Sequence, residues 1–296
     1  MTSSERVLTL IANPATPCLT AETADRVRDI VKARAVYFLA DDIACDIPLP
    51  SQTEMSAIDI EQCLDDRPID FVIQAADFRR KKILLADMDS TLIQQECIDE
   101  LADEAGVGER VADITARAMR GELEFDSALR ERVGLLEGLS ESIFDQVIEK
   151  RISLMPGGKE LVATMKKDGA YCALVSGGFV QFTSKIADVL GFDENRANTF
   201  EIANGKLTGN VIPPILGKEA KVEALNDVTA KLGFTADDVI AVGDGANDLG
   251  MLELAGSGVA LHAKPIVAEQ AQFKINHGDL TALLYIQGYR RSDFTE

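Results

Sequence analysis

Residues 83 to 96, ILLADMDSTLIQQE, run from four apolar residues straight into two carboxylates, Asp87 and Asp89, one residue apart. A short apolar run bounded by turn-forming residues is the pattern of a strand buried on both faces of a parallel sheet. In an extended chain residues i and i+2 point to the same side, so both carboxylates can address one ligand. The pair alone is compatible with a metal site, an acid/base couple or an ordinary strand-ending turn.

Downstream, apolar positions recur at helical spacing from residue 97 to about 153, for example Ile98, Leu101 and Ala105, then Phe125, Leu129, Val133 and Leu136. This predicts an all-helical insertion. Beyond Pro156-Gly157-Gly158, strand and helix alternate: YCALVSGGF as strand then turn, helix 180 to 190, a hairpin around NGKLTG, helix 218 to 232, and DVIAVGDGAND as a buried strand ending in a glycine-rich acidic turn. GSGVAL, AKPIVAEQA and FKI continue as strand, helix and strand. The expected fold is α/β, a doubly wound, Rossmann-like parallel sheet with a helical cap, over residues 78–296.

Upstream, strand 6–12, helix 21–33, strands 36–39 and 43–47, helix 54–64 and strand 70–75 follow the order β-α-β-β-α-β. That order predicts a small ferredoxin-like α+β domain over residues 1–77, with ADFRRKK as the linker.

The chain has 296 residues, 46% of them hydrophobic, and a formal charge of −19, which repels phosphate backbones and anionic lipid surfaces. Nucleic acid and membrane are therefore not expected partners. The start MTSSERVLTLIANP has neither the basic opening nor the long apolar core of a secretory signal, so a cytoplasmic location is expected. Five scattered cysteines, none in a CxxC spacing, argue against a disulfide framework or a zinc site, and only two histidines are present. Chemistry here must run on carboxylates, lysines and arginines.

Three expected strands end in polar, turn-forming residues: Asp87 and Asp89, then Ser176-Gly177-Gly178, then Asp244, Asn247 and Asp248. In a doubly wound sheet these ends converge on one crevice. A cluster of acids without histidine or thiolate suits a hard cation, and Mg²⁺ fits best. Each motif also has a plain structural account, since aspartate and glycine end strands, and a serine before a helix can simply cap it.

In order and spacing, DMDSTLIQQECIDELAD, LVSGGF, the lysine of KEAKVEAL and VGDGANDLGML resemble the four motifs of the haloacid dehalogenase-like phosphatase superfamily. Within it, residues 79–296 are similar to the phosphoserine phosphatases, and the N-terminal part resembles an ACT-like module in its order of elements. The resemblance implies an Mg²⁺-dependent hydrolysis of O-phospho-L-serine, the last step of serine biosynthesis. Asp87 would be the nucleophile, forming an aspartyl-phosphate, and Mg²⁺ would be held by the carboxylates of Asp87 and Asp244 and the carbonyl of Asp89. Asp89 would act as acid and then as base.

By the same implication Ser176 and the Gly177 amide would hold the phosphoryl group and Lys221 would neutralise it, Lys218 being a solvated neighbour. Asn247 would contact phosphoryl or substrate, and Asp248 would orient a metal-bound water or Lys221. Glu96 and Arg132 would bind the substrate ammonium and carboxylate. Phe125 is either a lid over the substrate or a helix-core residue, and His262 is expected to be structural. A homodimer is implied by the ACT-like module. The alternatives are a phosphatase or phosphotransferase for another small phosphate ester, and an amino-acid-sensing binding protein.

Overall fold

Strand β1 (Arg6–Ala12) reads RVLTLIA, an apolar run rather than an alternation, and its second to seventh residues are all buried. The computed structural model, which describes residues 5–50, 57–119 and 122–295, explains why. β1 pairs antiparallel with β3 (Ala44–Leu49) and β4 (Ile69–Ala75), and β2 (Tyr37–Ala40) flanks β3, giving the order β2-β3-β1-β4. Leu8, Leu10 and Ala12 face α1 (Ala21–Ile30) and α2 (Ala57–Leu64) in one apolar cluster. Ile11, Ala44 and Val72 belong to the cluster of the rest of the chain. Both faces of the small sheet are therefore covered, which the alternation of a one-faced antiparallel sheet would not require. The expected start of the second helix, at Glu54, lies outside the described residues.

Helix α1 opens on Thr20, whose side chain accepts from the Thr23 amide at 3.2 Å, and stops three residues short of the expected Ala33. Lys32, at φ +56°, is incompatible with helix continuation.

β5 (Ile83–Ala86) is the centre of a seven-stranded sheet of order β11-β10-β9-β5-β6-β7-β8. The other members are β6 (Tyr171–Phe179), β7 (Glu194–Ala203), β8 (Lys206–Ile212), β9 (Val239–Gly243), β10 (Ser257–Leu261) and β11 (Phe273–Ile275). Among the described residues β8 alone is antiparallel in this sheet. β5 pairs with β6 on one side and β9 on the other, so the chain winds outward in both directions from β5. The crevice at the carboxyl ends of β5, β6 and β9 is the switch point of such a sheet.

Between β5 and β6 the chain builds α3 (Cys97–Glu104), α4 (Gly108–Met119), α5 (Phe125–Gly134) and α6 (Ile143–Arg151), then α7 (Gly158–Lys167). An isolated bridge between Ile93 and Leu154 closes the two ends of this insertion. Leu101, Val111, Leu129, Val133 and Val147 form its apolar interior, continuous with the main core. Helices α8 (Val180–Leu190), α9 (Lys218–Leu232), α10 (Leu249–Leu254), α11 (Pro265–Gln270) and α12 (Ala282–Ile286) complete the fold. Among the described residues no helix is long and apolar enough to cross a membrane.

The segment joining the two sheets is bonded on both sides. Arg79 pairs with the buried Asp46 of β3 at 2.6 Å, while the Lys81 amide donates to Gln287 Oε1 at 3.0 Å. From β4, Asp70 accepts the amides of Asn276, His277 and Gly278 at 2.8, 3.0 and 2.7 Å, and Gln74 donates to the Ile286 carbonyl at 2.6 Å.

Candidate active site

Asp87 stands one residue beyond β5, where its amide donates to the Val242 carbonyl of β9 at 3.0 Å. The Met88 carbonyl accepts three amides, from Thr91, Leu92 and Ile93, so the chain turns back at once and holds Asp89 over the strand tips. Asp89 Oδ1 accepts the Cys97 amide at 3.0 Å. Its other oxygen reaches the Ser176-Gly177-Gly178 segment: a Cβ on Gly178 would stand 2.7 Å from it. Glycine is required there because the backbone must approach a carboxylate.

From the far side of β5, Asp244 and Asp248 follow β9. A carboxylate oxygen from each of Asp87, Asp244 and Asp248 lies within 4.8 Å of the other two. Asp248 is fully buried and already committed, with Oδ1 bonded to Lys221 Nζ at 2.5 Å and Oδ2 accepting the amides of Asp244 and Gly245 at 3.1 and 2.9 Å. Gly243 leaves it room, since a Cβ there would fall 2.3 Å from Asp248 Cγ. Lys221, 1% exposed on the first turn of α9, also lies 2.8 Å from Asp87 Oδ1. Lys218, on the same turn, pairs with its exposed neighbour Glu219 at 3.8 Å.

The electrostatics follow from this crowding. Burial, then the neighbouring Asp248, pushes the Asp87 carboxyl well above the usual range, against the pull of Lys221. Burial and Glu96 push Asp89 up to about 7, and burial with Asp248 pushes Asp244 up to about 6. Burial opposes the charge of Lys221, but Asp87 and Asp248 outweigh it and raise the ammonium above its ordinary value. Asp87 Oδ1 is buried and receives no directed hydrogen bond, its contact with Lys221 being an ion pair only. Three close carboxylates, two of which, Asp87 and Asp244, are pushed up by burial and by Asp248, offer an all-oxygen donor set that fits a hard divalent cation.

The insertion supplies the roof. Phe125 is 38% exposed and is no helix-core residue: its ring stands 3.6 Å from the Cβ position of Gly177 and 3.5 Å from that of Gly217. Glu96, at the start of α3, accepts the Ser90 hydroxyl at 2.7 Å. Arg132 on α5 is half-buried, its Nε donating to the Ala128 carbonyl at 3.3 Å. Burial pushes its guanidinium down, while Asp99, Glu96 and Asp89 hold it up, which places its charge over the same crevice. Asn247 Nδ2 lies 4.0 Å from the Cβ position of Gly177. Asp87, Asp89, Ser176, Gly177, Lys221, Asp244, Asn247 and Asp248 are thus brought together, with Glu96 and Arg132 at the roof. His262 stands apart, exposed and at φ +46°, bonded through Nε2 to the Gly278 carbonyl at 2.8 Å.

Two further contributors were not singled out from the sequence. Thr91 Oγ1 donates to Asp244 Oδ1 at 3.3 Å, and Asn198 of β7 is buried against Gly177. Thr91 lies within the first motif, so its place was a signal; an isolated asparagine in a strand carries none.

A doubly wound sheet whose central strand presents two acids, opposite a buried lysine and under a helical cap, is the frame of a hydrolase. Residues 84–253 match the sequence profile described as haloacid dehalogenase-like hydrolase, and the chain belongs to that family. It is 48% identical over 206 residues to the phosphoserine phosphatase of Streptococcus thermophilus, covering 70% of this chain and 95% of that one. It is 42% identical over 227 residues to that of Streptomyces coelicolor, spanning 76% of this chain but only 55% of the relative. A solved structure of a probable phosphoserine phosphatase from Vibrio cholerae, 32% identical, superposes with a TM-score of 0.79 over 96% of this chain and 86% of its own. A phospho-aspartyl intermediate analogue of phosphoserine phosphatase, 43% identical, aligns with a TM-score of 0.65 over 70% of this chain and 98% of its own.

Proposed function

We propose that the protein is a phosphatase that hydrolyses O-phospho-L-serine to L-serine and phosphate, dependent on Mg²⁺, through an aspartyl-phosphate on Asp87. The observation that carries it is the meeting of Asp87, Lys221 and the Ser176-Gly178 segment beneath a roof that presents Glu96 and Arg132. The names of the relatives, and the solved analogue of a phospho-aspartyl intermediate, support the same reading.

Asp87 and Asp244, with the Asp89 carbonyl, would hold Mg²⁺. When bound, the ion supplies positive charge that offsets the repulsion between carboxylate and phosphate. Lys221, fixed by Asp248, brings its ammonium to the attacking carboxylate and to the charge gathering on the phosphoryl oxygens. Ser176 Oγ accepts the Gly178 amide at 2.9 Å, so its hydroxyl hydrogen is free to point at a phosphoryl oxygen.

A seryl alkoxide is a poor leaving group. Asp89, held near neutral pH by burial and Glu96, is protonated often enough to deliver a proton to it. The carboxylate left behind then takes a proton from the water that opens the acyl phosphate. Phe125, lying across Gly177 and Gly217, keeps bulk water from the intermediate.

Arg132 would grip the substrate carboxylate with two parallel hydrogen bonds and Glu96 would receive its ammonium. Arg132→Ala tests this: phosphoserine turnover (kcat/KM) should fall at least about a hundredfold, and turnover of p-nitrophenyl phosphate far less. Equal losses on both would sink the amino-acid assignment.

A further inference from the structure

β6 and β7 lose their regular pairing at the phosphate-facing segment. Val175 pairs with Arg196 and Phe179 with Asn198, so Ser176, Gly177 and Gly178 together oppose a single residue, Ala197. Such a bulge leaves backbone groups without ladder partners, and buried ones must be satisfied from elsewhere. Here the Asn198 side chain satisfies the Gly177 carbonyl. Its Nδ2 donates to the Gly177 carbonyl at 2.9 Å and to the Leu216 carbonyl at 3.1 Å, and its Oδ1 accepts the Leu216 amide at 2.7 Å. Turning the amide over would oppose oxygen to two carbonyls and nitrogen to an amide, so its orientation is fixed by its partners. The residue is 1% exposed.

Two consequences reach the site. The Gly177 carbonyl and the Gly178 amide belong to one planar peptide and point opposite ways. Holding the carbonyl on Asn198 therefore aims the amide at Ser176 Oγ, 2.9 Å away, which occupies a lone pair and turns the hydroxyl hydrogen outward. On its other side Asn198 grips Leu216, immediately before Gly217, the residue that caps α9, whose first turn carries Lys221. One amide thus sets the serine donor and the lysine in a common frame.

We propose that Asn198 is a positioning residue for the transferring phosphoryl group, acting through the Gly177–Gly178 peptide and the start of α9. The inference rests on the phosphatase reading above. If Asn198 only stabilised the bulge, its loss would lower the amount of folded protein and leave the turnover of each folded molecule unchanged.

The test uses the full chain with Mg²⁺ and two variants, Asn198→Ala and the isosteric Asn198→Asp. The aspartate keeps an acceptor for the Leu216 amide but opposes a carboxylate to the Gly177 carbonyl. Kinetics are measured on phosphoserine and p-nitrophenyl phosphate and normalised to the folded fraction by circular dichroism, with amide hydrogen exchange followed at Gly178. Both variants should lose about tenfold to a hundredfold in kcat, with KM changed less than about threefold, the range expected when a donor to the phosphoryl group is misaimed. Exchange at Gly178 should quicken about tenfold or more, its partner having lost its orientation. Wild-type kcat in either folded variant, unchanged exchange at Gly178, or failure of both variants to fold would overturn the proposal. A wild-type protein inert towards every phosphate ester would sink the phosphatase reading instead, and the exchange measurement would still decide whether Asn198 holds the peptide.

Discussion

Replacing Lys221 by methionine removes the cation lying between two buried carboxylates, 2.8 Å from Asp87 Oδ1 and 2.5 Å from Asp248 Oδ1. The side chains of all three are at most 6% exposed, so water cannot take over the lost charge. Breaking a buried pair in this way costs about 3 to 5 kcal/mol, because it strands a charge in a medium that solvates it poorly. The sign of the pH dependence identifies the cause. The raised pKa of Lys221 gives a stabilisation that is complete below the unfolded lysine range and lost only as pH rises through the folded value, so it is constant between pH 5 and 8. Asp87, already pushed up by burial and Asp248, rises further without its lysine. A carboxyl with a raised folded pKa costs stability above its unfolded range, and the cost fades as pH falls through the folded value and the group takes up a proton. The gap between variant and wild type should therefore be widest above both folded Asp87 values and should narrow, by up to about 1.4 kcal/mol per pH unit for one proton, as pH falls through the interval between the variant's value and the lower wild-type one. Urea unfolding in EDTA, followed by far-ultraviolet circular dichroism at intervals from about pH 5 to about pH 10, measures it. A gap of equal size at every pH, or none at any, would refute the reasoning.

Glu96→Gln removes a charge that raises the Asp89 carboxyl, so the alkaline limb of the kcat/KM profile for phosphoserine should move to lower pH; an unmoved limb would separate Asp89 from proton delivery. Asp70→Ala strands the amides of Asn276, His277 and Gly278 and should cost about 3 kcal/mol, read by calorimetry as a lowered transition. Removing divalent ions with EDTA should abolish phosphate release, and added Mg²⁺ should restore it and raise the thermal midpoint, since binding relieves the repulsion around Asp87.

Local pattern made most of the frame legible. The apolar runs ending at Ala86 and Gly243 were strands, and helices 180–190 and 218–232 appear where their spacing put them. What escaped was non-local. YCALVSGGF reads as strand then turn, but pairing resumes at Phe179 after the bulge because β7 is there to receive it. Asn198 acts on partners 21 and 18 residues away, and no periodicity marks a single polar residue in a strand. The charges of ADFRRKK suggest a free connector, yet Arg79 finds Asp46, a pairing that local composition does not encode. Phe125 has helix-core spacing but lies over Gly177, since the face it occupies is covered by the rest of the chain rather than by its own bundle.

The open side of the small N-terminal sheet is closed by α12 and the residues after β11, which Asp70 and Gln74 bind from β4. These partners are translated well after it. At roughly 5 to 20 residues per second, a ribosome needs on the order of a quarter of a minute to a minute to deliver α12 after β1 has emerged. Throughout that interval Ile11 and Val72 lack the α12 part of their apolar cluster. The small sheet is therefore synthesised well before its second face is covered, and that nascent form is the one a holding chaperone would meet.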